Sequence, residues 1–388
     1  MTMSFLGYRR TDGRVGTRNY VGVLATVACA NEVALGIANQ VRGTMAFTHQ
    51  QGCCQTPPDL ARVTRTLAGL GCNPNLAAVI LVSLGCEGTD VASVAAAIAA
   101  TGKPVEVLAI QESGGLAKTL AKGTLLAQKL VMDASRIERV ECPESDLVLG
   151  LKCGSSDTTS GLAPNPALGL AVERLTAAGG TAVMGEVTEF IGAEHILAAQ
   201  AKDEATGRRI LDLVERMENR AKAIGVDMRG GQPTPGNIKG GLTTIEEKSL
   251  GAIAKAGRAI VQDVYEYGER PSVKGLVVMD SPGREPELLT GMAAAGCNVI
   301  VFTTGRGAPQ GFPFVPVLKV TGNRNTWETL VDHMDLSVHE VIDGSESMPT
   351  AAGRLYDAIL GVAGGVTTKA EVSGYFKAMD IYVTGPVI

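Results

Sequence analysis

Residues 20–28 read YVGVLATVA, and CAN (29–31) and the amphipathic stretch Glu32–Arg42 follow directly. A short apolar run, a polar turn and a segment of helical period make one βα unit, with the strand buried on both faces. The pattern repeats. Apolar runs at Thr44–Thr48, Ala78–Leu84, Val105–Ile110, Leu147–Leu151 and Thr181–Met184 predict further strands. Gly275–Met279, Asn298–Phe302 and Val315–Val320 predict a second series. Pro58–Gly69, Asp90–Ala100, Pro166–Ala178 and Glu285–Ala295 carry helical periodicity between them. Such alternation predicts an α/β protein of two Rossmann-like parallel-sheet units packed together. Ala198–Ile224 is charged and helical in period, and RGGQPTPGNIKGG (229–241) interrupts regular structure. The expected division is an N-terminal α/β domain with Cys/His loops over 1–228 and a C-terminal α/β domain over 229–388.

Composition narrows the function. With 388 residues, 45% hydrophobic and 19% charged, the chain can bury more than one core and is no disordered tail. Aromatics at 4% and 48 glycines suit aliphatic strands with tight βα turns, not an aromatic-anchored β module. A net charge of −5 without a basic block predicts no nucleic-acid partner. The longest apolar runs are strand-sized, far below the roughly 20 residues of a membrane span. Met1–Arg10 lacks the apolar stretch of a secretory signal, so a cytoplasmic location with reduced thiols is expected.

In parallel sheets, ligands bind beyond the carboxyl ends of strands, so the residues after each run matter most. Those positions hold Cys29, HQQGCC (49–54), GCEG (85–88) and KCGSSD (152–157), which include five of the eight cysteines. Thiolates and an imidazole gathered at a sheet edge suit iron or zinc. Cys53, Cys86 and Cys153, each beside a glycine, and His49 are the candidate ligands. Cys72, Cys142 and Cys297 read as small core hydrophobes. No C-x-x-C pair occurs, which argues against a zinc ribbon. Glu186 and Glu189 follow Thr181–Met184, Asp280 follows Gly275–Met279, and TTGRG (303–307) follows Asn298–Phe302. A glycine-flanked arginine such as Arg306 can grip a carboxylate bidentately. GRGAPQG (305–311) misses the dinucleotide fingerprint by one residue and no P-loop occurs, so nucleotide binding is not expected. GGLTTIEEKS (240–249) reads as a loop entering a threonine-capped helix, with Lys248 a base if desolvated.

Several stretches together resemble the altronate and galactarate dehydratases of sugar-acid catabolism. They are GYRRTDGRVGTRNYVGVLATV (7–27), HQQGCC (49–54), LGCE (84–87), IQESGG (110–115), KCGSSDTTSGLAPNPALG (152–169), GGLTTIEEKSLG (240–251) and VFTTGRG (301–307). The resemblance implies a hydro-lyase that converts a hexarate or hexonate to a 2-keto-3-deoxy acid. It implies ferrous iron, another divalent metal, or a four-iron cluster held by three cysteines. The family's cysteine motifs map onto Cys53, Cys86 and Cys153, with His49 leading the first. Cys54 stands where the family has glycine, and Gln50 and Gln51 also depart from its common forms. The metal would act as a Lewis acid on the carboxylate and the leaving hydroxyl. His49, Lys248 and Glu189 are the candidate general bases. Arg306, Arg14 and Arg18 would bind carboxylates, and Ser155, Ser156, Asp157, Thr303 and Thr304 the hydroxyls. Family members carry a small antifreeze-like domain ahead of the region matched here from residue 7. The resemblance therefore implies a large subunit with a separate small one, in a homo-oligomer. A related branch, the sulfolactate sulfo-lyases, shares this split design and expels sulfite instead of water. A non-catalytic assembly subunit is the remaining alternative.

Overall fold

A computed structural model describes residues 3–388. Its strands begin with β1 (Ser4–Arg9), β2 (Val15–Gly16), β3 (Tyr20–Ala25), β4 (Thr44–Phe47), β5 (Leu76–Ser83), β6 (Val105–Ala109) and β7 (Val140–Pro143). They continue with β8 (Val148–Gly154), β9 (Thr181–Met184), β10 (Val261–Tyr265), β11 (Gly275–Met279), β12 (Val299–Thr304), β13 (Val317–Thr321) and β14 (Leu336–Ser337). A four-stranded parallel sheet runs β4-β3-β5-β6, and a seven-stranded parallel sheet runs β10-β11-β9-β8-β12-β13-β14. A small antiparallel sheet, β2-β1-β7, joins their margins. The α/β class with parallel sheets is thus observed.

Side chains alternate across a strand, and this explains why β3 and β5 are apolar throughout. Val21, Val23, Ile80 and Val82 enter one core, beneath the helices Asn31–Gln40 and Leu116–Ala134. Leu24, Val79 and Leu81 enter another, shared with Ile300, Phe302 and Val277 of the large sheet. The helix Pro57–Cys72 lies between the sheets against the helix Glu285–Ala294. Their approach needs Gly69, where a Cβ would sit 2.5 Å from the Ala294 carbonyl oxygen.

The expected division at residue 228 is corrected. β8 pairs with β12 and β9 with β11, so strands from both sides of that boundary share one sheet. The charged stretch does not link domains: Ile210, Leu213 and Val214 of the helix Glu204–Lys222 are buried in the large-sheet core. The glycine- and proline-rich run forms short helices, including Pro235–Lys239, within the same unit. The real change of sheet falls between β6 and β8.

Buried polar groups join the two units at the amino ends of the strands. Asn75 donates to the carbonyls of Asn298 (3.0 Å) and Phe314 (2.9 Å), and Asn298 donates to Val15 (3.0 Å). The carboxyl ends are left for chemistry.

Candidate active site

From β8, the chain places β9, β11 and β10 on one side and β12, β13 and β14 on the other. The crevice at such a reversal is where open parallel sheets bind ligands. β8 delivers Lys152, Cys153 and Gly154 there and turns at Ser155, whose φ is 48°. Asp157 caps the helix Thr158–Leu162, accepting from the Ser160 amide (3.2 Å), the Thr159 hydroxyl (2.6 Å) and Asn323 Nδ2 (2.8 Å). Gly305, just past β12, makes room for this carboxylate; a Cβ would lie 2.2 Å from Asp157 Cγ.

Behind this loop lies a buried group of four charges. Glu186, beyond β9, has a left-handed φ of 68°, a conformation that costs a non-glycine residue about 1–3 kcal/mol. It is held by Lys152 Nζ, by Lys255 Nζ at 3.0 Å and by the Cys153 amide at 2.9 Å. Lys255 also donates to Glu189 at 3.1 Å. Burial works against the charge on Lys255, but Glu186 and Glu189 outweigh it and hold the ammonium above the ordinary lysine range. Burial would likewise raise Glu189, yet Lys255, and after it Lys248 and Lys152, keep its carboxyl below the usual range. Two ammonium groups and two carboxylates balance, which is how charges survive without water.

Cys153 connects this network to a cavity of about 190 Å³. Its thiol, pushed up by burial and so neutral, lies 3.2 Å from the Ser156 hydroxyl and accepts from Asn165 Nδ2 at 3.5 Å. Across the cavity stands the helix Ile245–Ile253, capped by Thr244 as the sequence predicts. Gly161 and Gly251 let it meet the helix Thr158–Leu162; a Cβ on Gly161 would come within 2.8 Å of Gly251 Cα. Among the described residues, Lys248 is the only lysine, arginine or histidine lining the cavity. It donates to Gln232 Oε1 at 3.3 Å.

The structure therefore gathers Cys153, Ser156, Asp157, Lys248 and Glu189 of the expected residues around one site. Thr303 stands behind them, donating to Asn165 Oδ1 at 2.6 Å. Thr304 is spent on its own turn, accepting from the amides of Gly307 and Ala308. The Ser155 carbonyl accepts from the Arg306 amide at 3.0 Å, and the exposed Arg306 guanidinium reaches the Gly236 carbonyl at 2.7 Å.

Other expectations are corrected. His49 is fully buried: Nε2 donates to the Ala25 carbonyl (2.9 Å) and Nδ1 accepts from the Gln51 amide (3.1 Å). Both nitrogens are engaged by backbone, and burial lowers its pKa to about 4. Cys53 and Cys86 are exposed on loops of the four-stranded sheet, whereas Cys153 is buried in the large one. Among the described residues, no group of three or more His, Cys, Asp or Glu side chains is placed to hold a metal ion. Of the expected Cys53–Cys86–Cys153–His49 set, Cys153 stands on the large sheet apart from the other three, which follow β4 and β5 of the four-stranded sheet. Arg14 pairs with Asp12 at the amino ends of the strands, beside Val148 and Asn298. Arg18 is a buried tie: Glu371 and the carbonyls of Thr17, Val362 and Val366 take its donors. Neither arginine faces the site.

Lys152 and Lys255 were not among the expected site residues, though a signal existed. Each is a lysine inside an otherwise apolar context, LGLKCG (149–154) and AIAKAG (252–257), where a charge needs a buried partner.

Two family models account for nearly the whole chain. The D-galactarate dehydratase/altronate hydrolase second-domain model matches residues 7–135, and the D-galactarate/altronate dehydratase C-terminal model matches 144–386. This chain belongs to the D-galactarate/altronate dehydratase family. The boundary between these models falls where the chain leaves one sheet for the other. Among the family's members, the (2R)-sulfolactate sulfo-lyase subunit beta of Chromohalobacter salexigens is 41% identical over 96% of this chain and 95% of its own length. The altronate dehydratase of Escherichia coli is 33% identical over 97% of this chain and 77% of its own. The galactarate dehydratase (L-threo-forming) of the same organism is 32% identical over 99% and 77%. The relatives are lyases, and this chain is an altronate/galactarate dehydratase-like lyase. No helix among the described residues is long and apolar enough to cross a membrane.

Proposed function

We propose that the chain is the large subunit of a hydro-lyase acting on a sugar acid, with Lys248 handling the proton. The observation that carries this reading is the cavity where Lys248 faces Cys153, Ser156 and Asp157, backed by the buried Lys152–Glu186–Lys255–Glu189 network. Lys248, as the neutral amine, takes the proton α to the substrate carboxylate and passes it to the β-hydroxyl, which departs as water, and the enol so formed becomes a 2-keto-3-deoxy acid. The network fixes the loop that bears Cys153 and Ser156. Arg306, at the rim, takes a carboxylate of the acid. The names of the dehydratase relatives support the substrate class. The word "subunit" in the sulfo-lyase relative's name supports a second polypeptide as partner.

A second reading, sulfite leaving from sulfolactate, is favoured by the 41% identity over nearly the full length of that relative. One assay separates them: aldonates, aldarates and sulfolactate are offered to the enzyme and keto acid or sulfite is followed. Keto acid from a hexarate or hexonate supports the first reading, sulfite the second, and turnover of none with the small subunit present removes both. Because general acid–base help is worth about 10²–10⁴-fold, Lys248→Met should lower kcat by that factor. Lys248→Arg keeps the charge without the titration and should not restore it; rescue by arginine would make the role electrostatic. The resemblance also implies iron, and the iron content of anaerobically purified protein tests it.

A further inference from the structure

The thiols of the four-stranded sheet take no part in this site, yet two of them are built as a pair. Cys53 and Cys54 are adjacent, both exposed, with their sulfurs 3.6 Å apart. Cys54 has a left-handed φ of 54°, so the backbone there is already bent into a tight turn. The loop is pinned on both flanks. Gly52 packs against the β3 end, where a Cβ would lie 2.5 Å from the Thr26 carbonyl oxygen, and its amide donates to Gln55 Oε1 at 2.8 Å. The end of the chain lies against the same turn: the Ile388 amide donates to the Cys54 carbonyl at 2.8 Å, and Val387 bridges to Gln55.

We propose that Cys53 and Cys54 form a reversible oxidation site, a vicinal dithiol that hydrogen peroxide converts to a disulfide between neighbouring residues. One thiol attacks the peroxide, whose O–O bond breaks, leaving a sulfenic acid and one water. The second thiol displaces the hydroxyl as a second water and the S–S bond forms. Two S–H groups are oxidised by two electrons and one peroxide is reduced to two waters. Closing the ring brings the sulfurs from 3.6 Å to about 2.05 Å. Neighbouring Cα atoms lie about 3.8 Å apart, below the usual disulfide range of about 4.4–6.8 Å. The product is therefore strained and easily reduced by a dithiol reductant, as labile and regulatory disulfides are. Ring closure also displaces the Cys54 carbonyl that anchors Ile388.

The test uses the full chain treated with hydrogen peroxide. The exposed thiols, Cys29, Cys53, Cys54 and Cys86, should fall from four titratable groups to two and return to four with dithiothreitol. Peptide mapping after alkylation should find the 53–54 segment unalkylated and two hydrogens lighter, with Cys29 and Cys86 alkylated. Cys54→Gly should abolish that two-hydrogen loss. Alkylation of both Cys53 and Cys54 after peroxide, a bond from either to Cys29 or Cys86, or irreversible oxidation would each overturn the proposal.

Discussion

The two parallel sheets end in opposite ways. At the carboxyl edge of the large sheet, Lys152, Glu186, Lys255 and Glu189 are buried as two positive and two negative charges beside a cavity. At the corresponding edge of the small sheet there is no such network: Glu87 is a half-buried carboxylate that accepts from the Thr26 hydroxyl (2.6 Å) and the Gly85 amide (2.7 Å). The imidazole at this edge is buried and neutral, the thiols face solvent, and the C-terminal segment lies over the loop. Both edges bring polar residue types to the end of a parallel strand, so position alone does not mark an active site. What separates them is the burial of several charges with matched partners, which the large-sheet edge has and the small-sheet edge lacks.

The contrast is sharpest at Lys255. Lys255→Met leaves Glu186 with Lys152 and takes away the ammonium that pairs with Glu189, and breaking a buried pair costs about 3–5 kcal/mol. Urea unfolding should show a loss of that size, and Lys255→Met/Glu189→Gln should recover part of it by removing the orphaned charge. A loss below about 1 kcal/mol, the value of a surface pair, would mean the network is hydrated and the two edges are not different in kind.

Much of the large-sheet edge was legible because its signals are local. Thr181–Met184 and Gly275–Met279 are strands at those bounds, and the threonine-capped helix carrying Lys248 begins where GGLTTIEEKS predicts. β10 was not legible: Val261–Tyr265 reads VQDVY, an edge strand with polar residues that break the apolar run. The cysteines failed for a different reason. Each does follow a strand, but which strands share a sheet is settled by long-range pairing that no local pattern contains. His49 misled in the same way. A histidine at a strand end looks available until Ala25 and Gln51 are seen to occupy both of its nitrogens.

That occupancy makes His49 a test of the quiet edge. Its pKa is lowered from 6.5 to about 4 by burial. The unfolded chain therefore takes up a proton near pH 6.5 that the folded one refuses until about pH 4. Stability is fully present above pH 6.5 and is lost as pH falls through this window, by about 3 kcal/mol at most. His49→Gln should remove that slope from a plot of unfolding free energy against pH while leaving kcat at neutral pH within about twofold. A large fall in kcat with the pH slope unchanged would return His49 to the chemistry.

The smallest expected effect concerns the rim. Arg306 spends one donor on the Gly236 carbonyl at 2.7 Å and is otherwise exposed, so its remaining donors can meet a carboxylate. Arg306→Ala should raise KM for a dicarboxylate about tenfold, equivalent to about 1.4 kcal/mol, with kcat little changed. Arg18→Ala supplies the contrast. Its side chain is a buried tie to Glu371, so removal should lower the unfolding midpoint and leave KM unchanged. If instead Arg18→Ala raises KM while Arg306→Ala does not, substrate enters nearer the C-terminal region that Arg18 secures, and the cavity beside Lys248 loses its claim as the binding site.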